Sequence, residues 1–539
     1  MAPLVNPRVA DALSRLFGSE TDSDCDIQFC LEGAEEAGGG AELGPLVPAH
    51  SFVLRLACER FRAQPLKKVL WPQHLRKPAT RKPLRLQQRK RACPKPAHTP
   101  NGRPLLRVPL GSEAELPAAR LALRFAYTGQ VHASSVREAL EVLRAGDYLA
   151  IEGCAAACSQ WLADRLAATG AEAGSAESAE PAVLQLYACE DLWPSNDPSF
   201  APVVSAAKAQ LVRRFGSTLA ALNTPALTKQ LEALGPQGLE ALLESDDLGT
   251  DSEDSVLTLL ATWMRANWAR TDAATRKRLC GLVRLTQLSI EATNCLLLPL
   301  AAGYEARGPE ERAGWFPISV AEAALVSSYH SASESWRKPA REKQVAARAP
   351  GWHSASPRKQ CVPAGGMAFP WSISKDVLRP KLEGLQPGRT AHIYTTISGG
   401  KRVLYARGLA WEVKSEYGHG KATAGLFLTA QIPAGYKVPG SQLAAGSLPE
   451  FPAFIDARLT VNRRQGGEVS NVKVHTFMKE GYMCLNSLGW GIAEALPLSP
   501  QQPAAAEAAA GGGDVLAGWA EYAHEGSAVT GTVTLLRPK

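Results

Sequence analysis

The period of the hydrophobic pattern changes twice along this chain of 539 residues, and that change limits the folds it can adopt. Strand-like and helix-like segments alternate over residues 1–168, a three- to four-residue period governs 181–305, and a two-residue period follows Phe369. A single core seldom serves a chain of this length. The sequence therefore predicts a multidomain α+β protein: an α/β part, an all-α part and an all-β antiparallel sandwich.

The first part begins with the alternating run DSDCDIQFCLE at 22–32, which predicts a strand. A second short strand, a helix and the strand LLRVPL follow, and residues 117–167 have the pattern of three helices. Gly129 suits the C-terminal end of the first of these helices, and Ser135 with Glu138 predicts the start of the second. The order of elements is that of an α/β domain.

A basic segment at 65–103 interrupts this part. It contains twelve Lys and Arg, no Asp or Glu, and many prolines, so it can bury little and is predicted to be a disordered insertion. Because the whole chain has a net charge of +7, the remainder is mildly acidic. Two basic clusters predict a nuclear localisation signal, and hence a protein of nucleus and cytoplasm. The clusters comprise Arg76, Lys77, Arg81, Lys82, Arg89, Lys90 and Arg91.

Two other interpretations of the basic segment stay open. It can be a solvated loop without function, or a spurious segment of the gene. Nucleic-acid binding is the weakest alternative, because Trp71 is the only aromatic residue available for base stacking.

Composition divides the rest of the chain. Gly, Ala, Ser and Glu dominate one short stretch, and Arg, Ser, Ala, Gly and Pro dominate a longer one, so both are predicted to be linkers. The predicted parts are the α/β domain 1–168, a linker 169–180, the helical domain 181–305, a linker 306–364 and the β domain 365–539.

The sequence offers no motif for catalysis, a cofactor or a membrane span. No apolar run approaches the roughly 18 residues that a span needs. The eleven cysteines form no CxxC pair, so a metal is not predicted. An enzyme in the β domain would have to use polar residues that show no motif spacing, and we expect no enzyme. These residues are His392, Glu412, His419, Asp456, His475 and His524.

Several motifs of the first part resemble the BTB/POZ family. They are SDCDIQF with Asp24, PAHSFVLRLACERF with His50 and Phe61, FAYTG ending at Gly129, and DYLAIEGCAAAC. Their order and spacing agree with that family over about 145 residues. The resemblance implies the BTB/POZ fold and a homodimer.

The helical part resembles the BACK domain that often follows BTB. The run LLESDDLGTDSEDSVLTLLATWMRAN and the later VRLTQLS carry this likeness. In the β part, NSLGWG and the last strand GTVTLL resemble a TRAF/MATH-like sandwich. The three-part arrangement is similar to plant BTB–BACK proteins of the light-response and POZ/BTB-containing type.

The resemblance assigns Asp24 and His50 to a polar pocket at the dimer axis or in the core, where a buried carboxylate needs a donor or cationic partner. The alternative is that Asp24 caps a turn and His50 caps the helix that follows it. An amphipathic N-terminal helix with Val9, Leu13 and Phe17 on one face could pack on the partner subunit or on its own subunit.

The same resemblance implies a substrate adaptor of a cullin-3 RING ubiquitin ligase, in which the β domain holds a protein substrate. The cullin-facing candidates are Phe61, Tyr127, Thr128 and Gly129. The family's hydrophobic–x–Glu triplet has no counterpart in FRAQPLKK after Phe61, where the basic insertion begins. A protein-interaction scaffold or transcriptional co-regulator that does not bind cullin is therefore the alternative.

Overall fold

The computed structural model describes most of the chain in two compact units, Met1–Gln210 and Leu211–Lys539. The described residues are 7–32, 41–62, 99, 101–171, 180–195, 197–333, 335–338, 350–444, 452–465, 467–478, 483–484, 489–498, 514–524 and 528–537.

The first unit is built from a small sheet and helices. Its strands are β1 (Cys25–Leu31), β2 (Glu42–Ala49) and β3 (Leu105–Leu110). Its helices are α1 (Pro7–Leu16), α2 (Ser51–Ala57), α3 (Glu59–Arg62), α4 (Leu116–Thr128), α5 (Val136–Leu149), α6 (Cys154–Ala171), α7 (Ala182–Ala188) and α8 (Ala201–Phe215), within which this unit ends.

The central strand β1 pairs antiparallel with β2 and parallel with β3, giving the order β2-β1-β3. Residues 25–30 of β1 are all buried, as expected for a strand covered on both faces. The predicted helix signals at α4 and α5 are confirmed. Gly129 ends α4 in the left-handed conformation with φ 64°, and the Ser135 hydroxyl accepts a hydrogen bond from the Glu138 N–H at the start of α5.

Helix α7 belongs to the first unit, although the sequence places residue 181 at the start of the helical domain. Val183, Leu184, Leu186 and Tyr187 bury their side chains in this unit, where α7 packs on α5 and α6. Burial of this apolar face explains why the helix groups with the residues before it.

The second unit begins with a helical part. Its helices are α9 (Thr218–Asn223), α10 (Pro225–Ala233), α11 (Pro236–Glu244), α12 (Glu253–Asn267), α13 (Ala273–Cys280), α14 (Ile290–Ala292), α15 (Leu298–Arg307) and α16 (Val320–Ser331), and a π-helical turn covers Thr293–Leu297. Helix α12 is the centre of this part, because twelve of its fifteen residues are buried.

The predicted linker 306–364 contains ordered structure. Helix α16 starts at a capping box of Ser319 and Glu322, a local signal that the composition conceals. Residues 356–362 then form a strap, in which Gln360 pairs in parallel with Thr250. The strap carries Arg358, whose guanidinium is wholly buried against the Glu253 carboxylate at 3.0 Å. An arginine that would be solvated in a free linker is therefore part of the core.

In the part of the chain that the structure describes, the remainder of the second unit contains mainly strands, with one α-helix and short 3-10 turns. The strands are β4 (Met367–Ser374), β5 (Thr390–Tyr394), β6 (Thr396–Ile397), β7 (Leu404–Ala406), β8 (Leu409–Gly418), β9 (Thr423–Gln431), β10 (Pro452–Ala453), β11 (Ala457–Gln465), β12 (Glu468–Phe477), β13 (Met483–Cys484), β14 (Trp490–Pro497), β15 (Ala523–His524) and β16 (Ala528–Leu535), and the helix is α17 (Lys375–Glu383).

Two larger antiparallel sheets organise these strands among the described residues. One has the order β12-β11-β16-β4-β6, with β15 beside β16, and the other has the order β14-β9-β8-β5, with β7 beside β8. Strands β10 and β13 form a separate pair. The two-residue period predicted for this part is clear in β16, whose residues alternate between buried and half-buried.

Candidate interaction site

The N-terminus of α2 is capped by a carboxylate from another element. Antiparallel pairing of β1 with β2 sets Cys25 opposite Ala49 and so brings Asp24 beside Ser51. The two carboxylate oxygens of Asp24 accept hydrogen bonds from the Ser51 N–H at 2.7 Å and from its hydroxyl at 2.5 Å. A negative charge is favourable at this end of a helix, so Asp24 stabilises α2 from outside it.

His50, the residue before α2, is buried with 1% of its surface exposed. Its Nε2 lies 2.9 Å from the Thr21 carbonyl oxygen and its Nδ1 lies 3.4 Å from the Tyr127 hydroxyl. The His50 backbone N–H also donates to that hydroxyl at 2.8 Å. Burial raises the pKa of Tyr127, so its hydroxyl keeps the proton that Nδ1 can accept.

The structure therefore differs from the predicted pocket of Asp24 and His50. Asp24 is exposed and binds Ser51, whereas His50 is buried and bonds Thr21 and Tyr127, so the two do not form a buried pair. The capping alternative holds for Asp24 in a modified form, because it caps α2 rather than a turn. The dimer-axis role of these residues stays a prediction, since the structure contains one chain.

Removing the Tyr127 hydroxyl tests how much this polar cluster contributes. Tyr127→Phe leaves the buried His50 N–H without its acceptor, and we expect the free energy of unfolding to fall by about 1–3 kcal/mol. Urea unfolding followed by circular dichroism measures the change. Tyr148→Phe is the matched control, because Tyr148 is 44% exposed and water can replace its bond to Pro109. If the free energy of unfolding fell equally in both variants, the buried hydrogen bond from the His50 N–H to Tyr127 would not be the cause of the loss.

The predicted cullin-facing residues separate into two groups. Phe61 and Tyr127 have 0% and 4% exposed surface, so their side chains lie in the core and cannot contact a partner directly. Thr128 is half-buried and Gly129 is exposed, so both reach the surface at the end of α4. The buried Phe61 and Tyr127 thus support the candidate cullin-facing surface from inside. Of the four candidates, Thr128 and Gly129 can form part of that surface.

The outer face of α2 presents apolar side chains to solvent. Phe52 is 45% and Leu56 is 56% exposed, whereas Val53 between them is buried. Phe52 and Leu56 are four residues apart and share one side of the helix. A large apolar pair exposed on one helix side is typical of a protein-interaction surface.

The N-terminal helix α1 packs within its own chain. Leu13, Leu16 and Phe17 are half-buried, and the Phe17 ring lies 5.5 Å from the Tyr127 ring of α4. This contact agrees with the own-subunit alternative. The side chain of Val9 lies outside the described residues.

All seven residues of the predicted localisation signal lie outside the described residues, as do most positions of the basic insertion. Their role stays a prediction.

The polar residues considered for an enzyme site in the β part have separate partners. His392 Nδ1 lies 3.2 Å from a Glu416 carboxylate oxygen, Glu412 pairs with Arg402 at 2.8 Å, and His475 Nε2 accepts from the Trp490 indole at 3.1 Å. Within the described ranges, no three His, Cys, Asp or Glu side chains are grouped as metal ligands. In the same ranges, no helix combines the length and apolar character of a membrane span.

One side of the β part carries an exposed apolar surface, here called the edge surface. It lies on β12 and β14, the outer strands of the two larger sheets, where the Trp490 indole bonds His475. Its members are at least 37% exposed: Val472, Trp490 and Ile492. Trp411 and Phe477, which also lie on strands of this part, are buried, whereas Trp490 belongs to this surface. Such a surface suits a protein ligand.

Comparison with known proteins finds one family that matches part of this chain. Residues 217–294, which include α9–α14, match the BACK family, described as BTB And C-terminal Kelch. No curated protein matches the chain. The BACK match supports a BTB/BACK-type adaptor and a role in protein interaction.

Proposed function

We propose that this protein is a non-catalytic substrate-recognition adaptor of a cullin-3 RING ubiquitin ligase. The observation that carries the proposal is the BACK match at 217–294, because BACK domains are typical of cullin-3 substrate adaptors. In this role the ligase partners perform the chemistry, and the chain contributes proximity and orientation. The adaptor acts in nucleus and cytoplasm, as the basic clusters of the sequence suggest.

The first unit fits a BTB/POZ module that forms a homodimer. Support comes from its sheet order β2-β1-β3 covered by helices, and from Phe52 and Leu56 exposed on α2. An apolar pair used by both copies would make an isologous contact. Thr128 and Gly129 contribute to the cullin-facing side of the same unit.

The β part is the substrate-binding domain in this proposal. Its two antiparallel sheets form a TRAF/MATH-like sandwich, and the edge surface is where a protein substrate binds. Dimerisation then presents two such surfaces and raises avidity for a multivalent substrate. The whole arrangement is that of the plant light-response and POZ/BTB-containing adaptors.

The test is association of purified full-length chain with cullin-3. We expect a stable complex in size-exclusion chromatography, and we expect deletion of residues 65–103 to preserve or strengthen it because this removes the basic insertion that interrupts the sequence after Phe61. Thr128→Arg should weaken the complex, whereas Leu325→Arg, at an exposed position of α16, should not.

If the chain fails to bind cullin-3 both with and without residues 65–103, the scaffold or co-regulator alternative replaces the ligase adaptor. The missing hydrophobic–x–Glu triplet after Phe61 favours that outcome.

A further inference from the structure

The end of β7 and the turn that leads from it into β8, residues 405–408 and here called the 405–408 turn, are bound by side chains of the helical part. Asn223, the last residue of α9, donates from Nδ2 to the Tyr405 carbonyl at 2.8 Å and accepts from the Tyr405 N–H at 2.7 Å. The same amide therefore satisfies both backbone groups of Tyr405, as a neighbouring strand would.

The start of α12 binds the rest of this turn. Asp251 accepts from the Arg407 N–H at 2.7 Å, Ser255 accepts from the Gly408 N–H at 3.1 Å, and Thr258 donates to the Gly408 carbonyl at 2.8 Å. Ser255 and Thr258 are wholly buried, so these bonds are shielded from water. The turn is thus held by its backbone.

Asp254 lies directly beneath the turn. A Cβ added at Gly408 would lie 2.6 Å from the Asp254 Cβ, so the backbone of the turn touches this side chain. Only 3% of Asp254 is exposed, and its Oδ1 accepts from the Ser289 N–H at 2.8 Å. A charge on this carboxyl therefore has almost no access to bulk water.

The charges around Asp254 are not balanced. Asp251, three residues earlier, is also buried with 4% exposed. Arg407 is the cation that acts on both carboxyls, and its guanidinium is also engaged 3.5 Å from the Asp456 carboxylate. With both buried carboxyls ionised, two negative charges share the Arg407 cation, which is costly for groups with so little exposed surface.

A cavity of about 680 Å³ borders this arrangement. The titratable groups that face Asp254 from the packed elements are Cys295, Tyr436, Asp251 and Arg407, and those that line the cavity with it are Glu291, His330, Asp456 and Arg537. Arg407 and Leu409, the neighbours of Gly408, line this cavity together with Asp254, so lifting the turn widens the path from the cavity to the Asp254 carboxyl.

We propose that Asp254 is a proton-controlled latch between the helical part and the β part of the second unit. With Asp254 protonated, the 405–408 turn stays seated on α9 and α12. Ionisation of Asp254 favours a state in which the turn lifts and water reaches the carboxylate. The latch does not depend on the adaptor role, because its evidence lies wholly within the second unit.

The direction of the pH effect follows from burial. Desolvation raises the pKa of Asp254 from 3.8 to about 7 in the closed state, and burial also raises the pKa of Asp251. The pKa of Asp254 in the closed state is higher than the pKa of the same carboxyl in water. Protonation therefore stabilises the closed state relative to the lifted state, fully in acid, and this stabilisation is lost as the pH rises through about 7. The ratio of lifted to seated turn should rise about tenfold per pH unit from roughly pH 5 to 6.5 and level off above pH 7.

Hydrogen exchange of the full-length chain between pH 5 and pH 8 tests the latch. Protection factors, which correct for intrinsic exchange, are followed for the amides of Tyr405, Arg407 and Gly408. We expect protection to fall by about tenfold per pH unit in the lower half of this range. Asp254→Asn keeps an acceptor for the Ser289 N–H and should make protection nearly independent of pH.

Asp272→Asn is the matched control, because Asp272 is an exposed carboxylate that caps α13 away from the turn, and it should keep the wild-type slope. The latch is refuted if the protection factors of these amides depend equally on pH in the wild type and in Asp254→Asn. It is also refuted if the slope disappears in Asp251→Asn but persists in Asp254→Asn.

Discussion

Replacing Arg358 by methionine should lower the free energy of unfolding of the second unit by about 3–5 kcal/mol. Arg358 has 0% of its side chain exposed and lies 3.0 Å from Glu253, which is 3% exposed. The guanidinium also donates to the carbonyl oxygens of Ser245 at 2.9 Å and Leu282 at 3.2 Å. Methionine fills part of the space but leaves the Glu253 charge buried without its cation.

Urea unfolding of the full-length chain measures this loss as a shift of the transition that belongs to the second unit. Arg278→Met is the control, because Arg278 forms an ion pair of similar length with Glu240 at 2.9 Å but is 47% exposed. An exposed pair of this kind contributes about 0–1 kcal/mol. Similar losses in the two variants would mean that the strap carrying Arg358 is not part of the core.

Phe61→Ala should lower the free energy of unfolding of the first unit by about 3–5 kcal/mol, because it empties a fully buried aromatic site. Any loss of cullin-3 binding in this variant would then follow from unfolding rather than from a lost contact. Thermal unfolding, measured together with binding at a temperature where both proteins are folded, separates the two effects.

Phe52→Ala is the control for this prediction. Phe52 is 45% exposed, so we expect a stability change within about 0.5 kcal/mol. If Phe52 lies at a dimer contact, sedimentation of Phe52→Ala should show weaker self-association at unchanged stability. A stable Phe61→Ala variant that loses cullin-3 binding would show instead that Phe61 contacts the partner.

Local signals explain what could be predicted from the sequence. The left-handed turn at Gly129 and the cap at Ser135 depend on residues within one helical turn, and both were recognisable. The helical character of 217–294 followed from its hydrophobic period, and the BACK match agrees with it.

Contacts between distant residues explain what could not be predicted. Arg358 is 105 residues from Glu253, and nothing in the composition around it indicates burial. Acidic residues at the start of a helix are typical of capping, yet Asp251 and Asp254 at the start of α12 accept hydrogen bonds from Arg407 and Ser289. The short side chain of Asp24 similarly caps a helix 27 residues away. Sequence spacing carries no record of these partners.

The parallel pairing of Thr250 with Gln360 has a consequence for how far a ligand of the β part can travel. A flexible linker as long as residues 306–364 would have a root-mean-square end-to-end distance of roughly 40 Å, and a protein bound to the β part could move over that distance relative to the helices. Here the chain is returned to the beginning of α12 only seven residues before β4 starts at Met367. The local concentration, near the helices, of a protein bound to the β part is therefore set by the packed strap at 356–362 and not by the length of a flexible linker.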